Sequence, residues 1–348
     1  MRHALILAAL PLLLAGNAMS AETWTMRVNN VSRNLLVHAP SGVAGRPLLL
    51  SLHGLNQDAA YQRSTTAWEG VADTAKFVVV FPNAINKSWD ISGTGDITFL
   101  TAIMDSVAKR YNTDKNRVYV SGFSMGGMMS YHVANKISDK VAAIGPVSGY
   151  LFAGTVASSR PMPIIHIHGT TDDVVGYSGV AGMLSKWRSW NGCPTNVQTT
   201  DPYPANKPAS AASRQYWGPC KNNTAVSHIA IEGKGHWHSN DMVSVHSSSE
   251  IWNFVKQYSL ASSTSANRPG PNAPISTRWS KAGLIVSGGE AVTSLRLTDL
   301  QGRTVAKHEP RSDWSGQATL PVAGLSRGIY HLRVEQPNSI STIAVRAP

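Results

Sequence analysis

The stretch VYVSGFSMGGMMSYHVANKI, residues 118–137, changes character at its middle. Val and Tyr in the first half suit a buried strand, and Met, Ala and long polar residues in the second half suit a helix. Ser124 sits at the switch, with Gly122 before it and Gly126 and Gly127 after it. GFSMG at 122–126 fits the G-x-S-x-G pattern, in which a serine rides a strained strand-to-helix turn. Glycine two residues to either side avoids a Cβ clash there, and the hydroxyl is carried clear of the sheet.

A serine hydroxyl is a poor nucleophile at neutral pH, so it needs a base, and the base needs an orienting acid. On this kind of turn the chain order is Ser, then acid, then His. IIHIHGTTDD places Asp172 three residues past Gly169, and IAIEGKGH places His236 after a run ending near Gly233. Asp173 and His238 are the direct competitors of these two. His166 and His168 lie in or at the end of a buried strand and read as histidines satisfied within the core. SLHGLN at 51–56 lies where an oxyanion loop belongs, so the backbone N–H groups of Leu55 and Met125 are the expected oxyanion donors.

Outward from this turn, RPLLLSLHG (46–54), KFVVVFPNA (76–84), KVAAIGPVSG (140–149), MPIIHIHG (162–169) and VSHIAIEG (226–233) are near-continuous apolar runs. Strands covered on both faces read this way, and they belong to a parallel sheet flanked by helices. Helical patterns at 97–111, 125–137 and 247–259 alternate with them. The class is α/β, over residues 22–260. Residues 261–276, rich in Ser, Ala and Pro, read as a linker. From 277 to 348 short alternating runs such as GLIVSG, TSLRLTDL and GIYHLRV predict a small β-sandwich.

Of 348 residues, 42% are hydrophobic and 15% charged, which excludes a chain disordered throughout. The net charge of +11 is spread along the chain without a basic run or aromatic-basic stripe, so no nucleic-acid partner is expected. Residues 1–21 have the basic start, short apolar core and small residues of a secretory signal, and no later stretch is long enough to span a membrane. The mature protein is expected to be secreted and soluble. Export makes a disulfide the expected state of the only two cysteines, Cys193 and Cys220. No metal site and no cofactor are expected.

The LHG at 52–54, the run NRVYVSGFSMGGMMSYHVA, HIHGTTDDVVGY at 166–177, the cysteine spacing and GKGH at 233–236 together resemble the secreted feruloyl esterases, acetylxylan esterases and poly(3-hydroxybutyrate) depolymerases of carbohydrate esterase family one. The resemblance covers about residues 25–260. It implies an α/β-hydrolase fold, a triad of Ser124, Asp172 and His236, and a Cys193–Cys220 disulfide. One departure is Gly176, where many relatives have Pro; it touches loop stiffness near Asp172. The C-terminal region resembles bacterial secretion-sorting domains, with a carbohydrate-binding module as the competing reading, in which Trp279, Trp314 and Tyr330 would stack on sugars. The resemblance implies a serine esterase acting on plant cell-wall polysaccharide, with feruloylated xylan placed first, acetylated xylan second and polyester third. A non-catalytic wall-binding protein is the reading from another class. Trp89 and Trp237 are candidate walls for an aromatic acyl group or a sugar, against plain packing. Secretion machinery is the partner expected for the tail.

Overall fold

Ten strands of the first region form one mixed sheet: β1 (Glu22–Val28), β2 (Val31–His38), β3 (Leu48–Leu52), β4 (Val78–Pro82), β5 (Val118–Phe123), β6 (Ala143–Val147), β7 (Ile164–Gly169), β8 (Gln198–Thr200), β9 (Ala212–Trp217) and β10 (Val226–Ile231). Their order is β1-β2-β4-β3-β5-β6-β7-β10-β9-β8. The structure is a computed structural model that describes residues 21–151, 155–260, 275–280, 283–288, 292–309, 317–322, 325–336 and 339–347. All but the last residue of the expected signal segment, nearly all of the expected linker, and Trp314 lie outside the described residues.

The six central strands, β4 to β10 in the sheet order, run parallel. Side chains alternate between the faces of a strand, so each apolar run feeds two cores. Leu48, Leu50, Val78, Val80, Val118, Val120 and Ile144 enter one core with helices α3 (Gly95–Tyr111), α4 (Met125–Lys136) and α5 (Val180–Asn191). Leu49, Val79, Phe81, Tyr119, Ala143 and Ile165 enter the other, with α1 (Ala59–Thr66), α2 (Trp68–Ala75) and α6 (Ser247–Val255). Each fully buried Val, Leu or Ile contributes roughly 1.5–3 kcal/mol by leaving water. The expected α/β class holds, as a sheet with helices on both faces.

Four strands escape a search for apolar runs. β1 and β2 pair antiparallel on one edge, and β9 and β8 continue antiparallel on the other. β1 alternates half-buried and exposed residues, and β8 is three residues long and largely exposed, so neither carries an apolar run. The tail builds two antiparallel sheets from β11 (Ser276–Ser280), β12 (Gly283–Ser287), β13 (Ser294–Thr298), β14 (Thr304–His308), β15 (Gln317–Leu320), β16 (Gly328–Gln336) and β17 (Ser339–Ala347). Leu284, Val286 and Leu320 of one sheet share a core with Leu295, Leu297, Leu332 and Val334 of the other. Trp279 donates its indole N–H to the Arg346 carbonyl at 2.6 Å and packs on that core, and Tyr330 is buried in it.

Cys193, just past α5, and Cys220, just past β9, form the disulfide, so one bond ties a helix end to the outer part of the sheet. Closing a segment with a sequence separation of 27 is worth about 3–4 kcal/mol in the chain-entropy account. Replacing both cysteines by Ala is expected to lower the melting temperature by roughly 6–12 °C. Thermal denaturation followed by circular dichroism checks this, and an unchanged melting temperature would remove the bond from the list of stabilising features.

Candidate active site

β5 lies in the middle of the sheet and runs directly into α4, and Ser124 between them has φ 56° and ψ −120°. A non-glycine residue at positive φ is costly and persists only when its surroundings hold it there. Its amide donates to the Val147 carbonyl at 2.9 Å, and its carbonyl accepts the Met128 N–H at 3.0 Å. The two motif glycines permit the turn: a Cβ on Gly122 would lie 2.2 Å from the Gly126 oxygen, and one on Gly126 2.1 Å from the Leu52 oxygen.

Asp172 follows β7 in a tight turn that buries its carboxylate. Oδ1 accepts the Val174 and Val175 amides at 3.0 and 2.8 Å, and Oδ2 accepts from His236 Nδ1 at 2.8 Å. Burial alone would raise its pKa, but the hydrogen bonds from His236, Val175 and Val174 outweigh it and hold the carboxyl below its ordinary value. The half-buried His236 ring sits 4.7 Å from the ring of Phe123, the residue immediately before Ser124. Asp173, the competing acid, is exposed.

His238, the competing base, faces elsewhere. Its Nε2 meets Ser248 Oγ at 3.0 Å, and that hydroxyl donates to the Thr66 carbonyl at 2.5 Å, so the ring joins α6 to the end of α1. Burial, with His246 adding to it, pushes its pKa down to about 3. Buried His166 and His168 meet each other along β7.

The turn after β3 abuts the elbow, since a Cβ on Gly54 would lie 3.3 Å from Ser124 Cβ. His53 Nε2 accepts the Ala84 N–H at 3.0 Å, so its proton is on Nδ1, which donates to the Gly54 carbonyl at 2.7 Å. Gln57 N–H reaches the same carbonyl at 3.2 Å, and Gln57 Oε1 accepts the Gly54 N–H at 2.9 Å. In a trans peptide the N–H points opposite the carbonyl, so clamping Gly54 C=O fixes the direction of the Leu55 N–H. Met125 N–H opens α4, where a helix amide has no partner within the helix. The sequence pattern places the oxyanion loop at residues 51–56 but carries no sign of the clamp that His53 and Gln57 form on it.

Of the two tryptophans, Trp89 is 2% exposed, lies against the His53 ring and donates its indole N–H to the His53 carbonyl at 2.8 Å. That places it beneath the loop as packing. Trp237 is 63% exposed beside His236. Among the described residues, no group of His, Cys, Asp and Glu side chains could hold a metal ion, and no helix is long and apolar enough to cross a membrane.

This fold and site define an α/β hydrolase, and comparison with known proteins agrees. Residues 96–200 match the phospholipase/carboxylesterase family model, and residues 280–345 match the secretion system C-terminal sorting domain. The chain is 41% identical over 260 residues to a bifunctional acetylxylan esterase/xylanase of Neocallimastix patriciarum, covering 74% of this chain and 38% of that protein. It is 30% identical to feruloyl esterase C of Emericella nidulans, covering 62% of this chain and 80% of the relative. The solved acetyl xylan esterase from Aspergillus awamori shares the fold, with a TM-score of 0.50, 16% identity and coverage of 62% of this chain and 94% of that one. The chain belongs to the α/β-hydrolase esterases, in the group that includes these feruloyl and acetylxylan esterases, and carries a C-terminal sorting domain. It spans well under half of the length of the acetylxylan esterase/xylanase it matches.

Several buried histidines are held neutral in the folded state: burial pushes His238 to about 3 and His228 to about 4, and drives His166 well below its ordinary value. Unfolded, each titrates near 6.5, so below that pH the unfolded chain binds more protons than the folded one. Their contribution is fully present above about pH 6.5 and is lost as pH falls. The melting temperature is expected to decline steadily from about pH 6.5 toward 4, and melts in a constant-ionic-strength buffer series check it.

Proposed function

We propose that the protein is an exported serine esterase that removes acyl groups from plant cell-wall xylan. One observation carries the esterase reading: the 2.8 Å bond from His236 Nδ1 to Asp172, in a ring 4.7 Å from that of Phe123, the residue before a serine at positive φ. With Nδ1–H donated to Asp172, Nε2 of His236 is the free base. It takes the Ser124 proton as Oγ attacks the ester carbonyl, and the Leu55 and Met125 amides receive the oxyanion, each worth about 3 kcal/mol in the transition state. His236 then returns the proton to the departing sugar oxygen, and a water repeats the sequence to release the acid and free Ser124. The sorting domain supports export.

Acetyl is the acyl group we place first. The 41% identity to the acetylxylan esterase/xylanase extends over 260 residues and supports it, and burial of Trp89 removes one of two aromatic walls expected for a feruloyl ring. The second reading, feruloyl, which the sequence placed first, is favoured by one feature: Trp237, Leu55 and Val174 stand 63%, 52% and 66% exposed on the three loops that carry the site. Burying a ferulate ring against such side chains could contribute roughly 2–3 kcal/mol.

Ser124→Ala and His236→Ala are each expected to lower kcat on a p-nitrophenyl ester by a factor on the order of a million. Either variant, folded and turning over near the wild-type rate, would remove that residue from the mechanism. For the acyl group, kcat/KM on acetylated xylan should exceed that on methyl ferulate and on a hydroxybutyrate oligomer. Methyl ferulate cleaved best would promote the second reading, and the oligomer cleaved alone would reject the plant-wall substrate while keeping the triad.

A further inference from the structure

We propose that His168 is a positioning residue for Asp172, locked in one tautomer by a buried hydrogen-bonded chain that starts at Tyr131. The proposal rests on the Ser124, Asp172 and His236 reading above and extends it by three buried residues, Tyr131, His166 and His168.

The direction of the chain follows from what each atom can do. His168 Nε2 lies 2.7 Å from the Val175 carbonyl oxygen and 3.1 Å from Asp172 Oδ2. Both oxygens only accept, so Nε2 carries the proton and Nδ1 is the acceptor of a neutral ring. His166 Nε2, 3.0 Å from that Nδ1, must then donate, which leaves His166 Nδ1 to accept from the Tyr131 hydroxyl at 3.1 Å. Tyr131, His166 and His168 are buried, so a doubly protonated ring is disfavoured and every donor points toward Asp172. Hydrogen bonds in series polarise one another, so the upstream pair strengthens the last donor.

His168 therefore acts on Asp172 twice. It holds the carbonyl of Val175, whose amide holds Asp172 Oδ1 at 2.8 Å, so it fixes the turn that aims the carboxylate. It also turns its positive N–H edge toward Oδ2, the oxygen that receives His236 Nδ1. Other rings face His168 from every side. Tyr150, past β6, lies 6.1 Å away and donates to the Gly176 carbonyl. Tyr177, past β7, lies 5.8 Å away with its hydroxyl at 3.1 Å from His228 Nε2, and His228 on β10 holds the His166 carbonyl through Nδ1. Burial lowers the pKa of His166, His168 and His228, so the charge that faces His168 is that of Asp172, with His236 beyond it, while Glu232 acts on Tyr177.

Without the His168 N–H, Asp172 Oδ2 loses one of its two ring donors, and more of the carboxylate charge faces the imidazolium that forms on His236 during the reaction. On a soluble p-nitrophenyl ester, His168→Phe is expected to move the acid limb of kcat/KM upward by roughly half to one pH unit. It should lower kcat about ten- to a hundredfold through looser aim, with KM unchanged. His168→Gln, which keeps an N–H, should stay close to wild type, and Tyr131→Phe should shift the limb the same way by less. A folded His168→Phe whose limb coincides with wild type overturns the proposal; if that variant does not fold, an unmoved limb in Tyr131→Phe does. Ser124→Ala run alongside separates the two readings. Retained activity there sinks the triad itself, whereas a dead Ser124→Ala with unmoved limbs sinks the role of His168 alone.

Discussion

The backbone turn at Ser124 is the constraint on which the site depends. At φ 56° and ψ −120° Ser124 lies outside the left-handed well as well as the α and β regions, so the surrounding packing must impose it. β5 supplies that packing because it is central: β3 and β6 flank it, and parallel pairing places the ends of all three at one edge of the sheet. Helix α4 then leaves the turn so close to β3 that the Gly126 Cα faces the Leu52 carbonyl. Every other part of the site is brought in by a strand that ends at this edge. The loop after β3 brings the Gly54–Leu55 peptide, β7 brings Asp172, and β10 brings His236.

Around that turn the polar groups are arranged so that each has one orientation available. The Asp172 carboxylate meets His236, His168 and two backbone amides. The Gly54 carbonyl meets His53 and Gln57, and the proton on His53 is placed by the Ala84 amide on its other nitrogen. Buried polar groups in a low-dielectric interior are costly unless fully partnered, and fully partnered ones are rigid. Such a site is organised before a substrate arrives, which is where electrostatic stabilisation of a developing charge is most effective.

The sandwich of the tail has its own core, drawn from both of its sheets. β16 alternates buried and exposed residues, as expected of an antiparallel strand with one wet face, whereas β12 is buried over four successive residues. Trp279 and Tyr330 spend their polar atoms on the Arg346 and Ser326 carbonyls, which makes them parts of that fold.

Ser124, Asp172 and His236 are each tied to a local signal in the sequence: a glycine-bracketed turn, and short polar segments directly after apolar runs. The parallel strands were legible for a related reason, since burial on both faces demands unbroken Val, Ile and Leu. The edge strands were not, because a strand wet on one face needs only every second residue apolar, and β8 is too short to show even that. Trp89 and Trp237 look alike as letters; one supports the His53 carbonyl from below and the other stands in solvent, and that difference depends on the path of two loops. The same holds for His168. A histidine in a buried strand predicts a partner but not which one; here Val175 reaches it from the following turn and His166 from β7 itself, with Tyr131 of α4 bonded to the far side of His166. Sequence determined the chemistry that the chain carries, because residue type and strand periodicity are local properties. Tertiary structure decided which polar atoms face one another, because hydrogen bonds between distant segments depend on distances that no local pattern encodes.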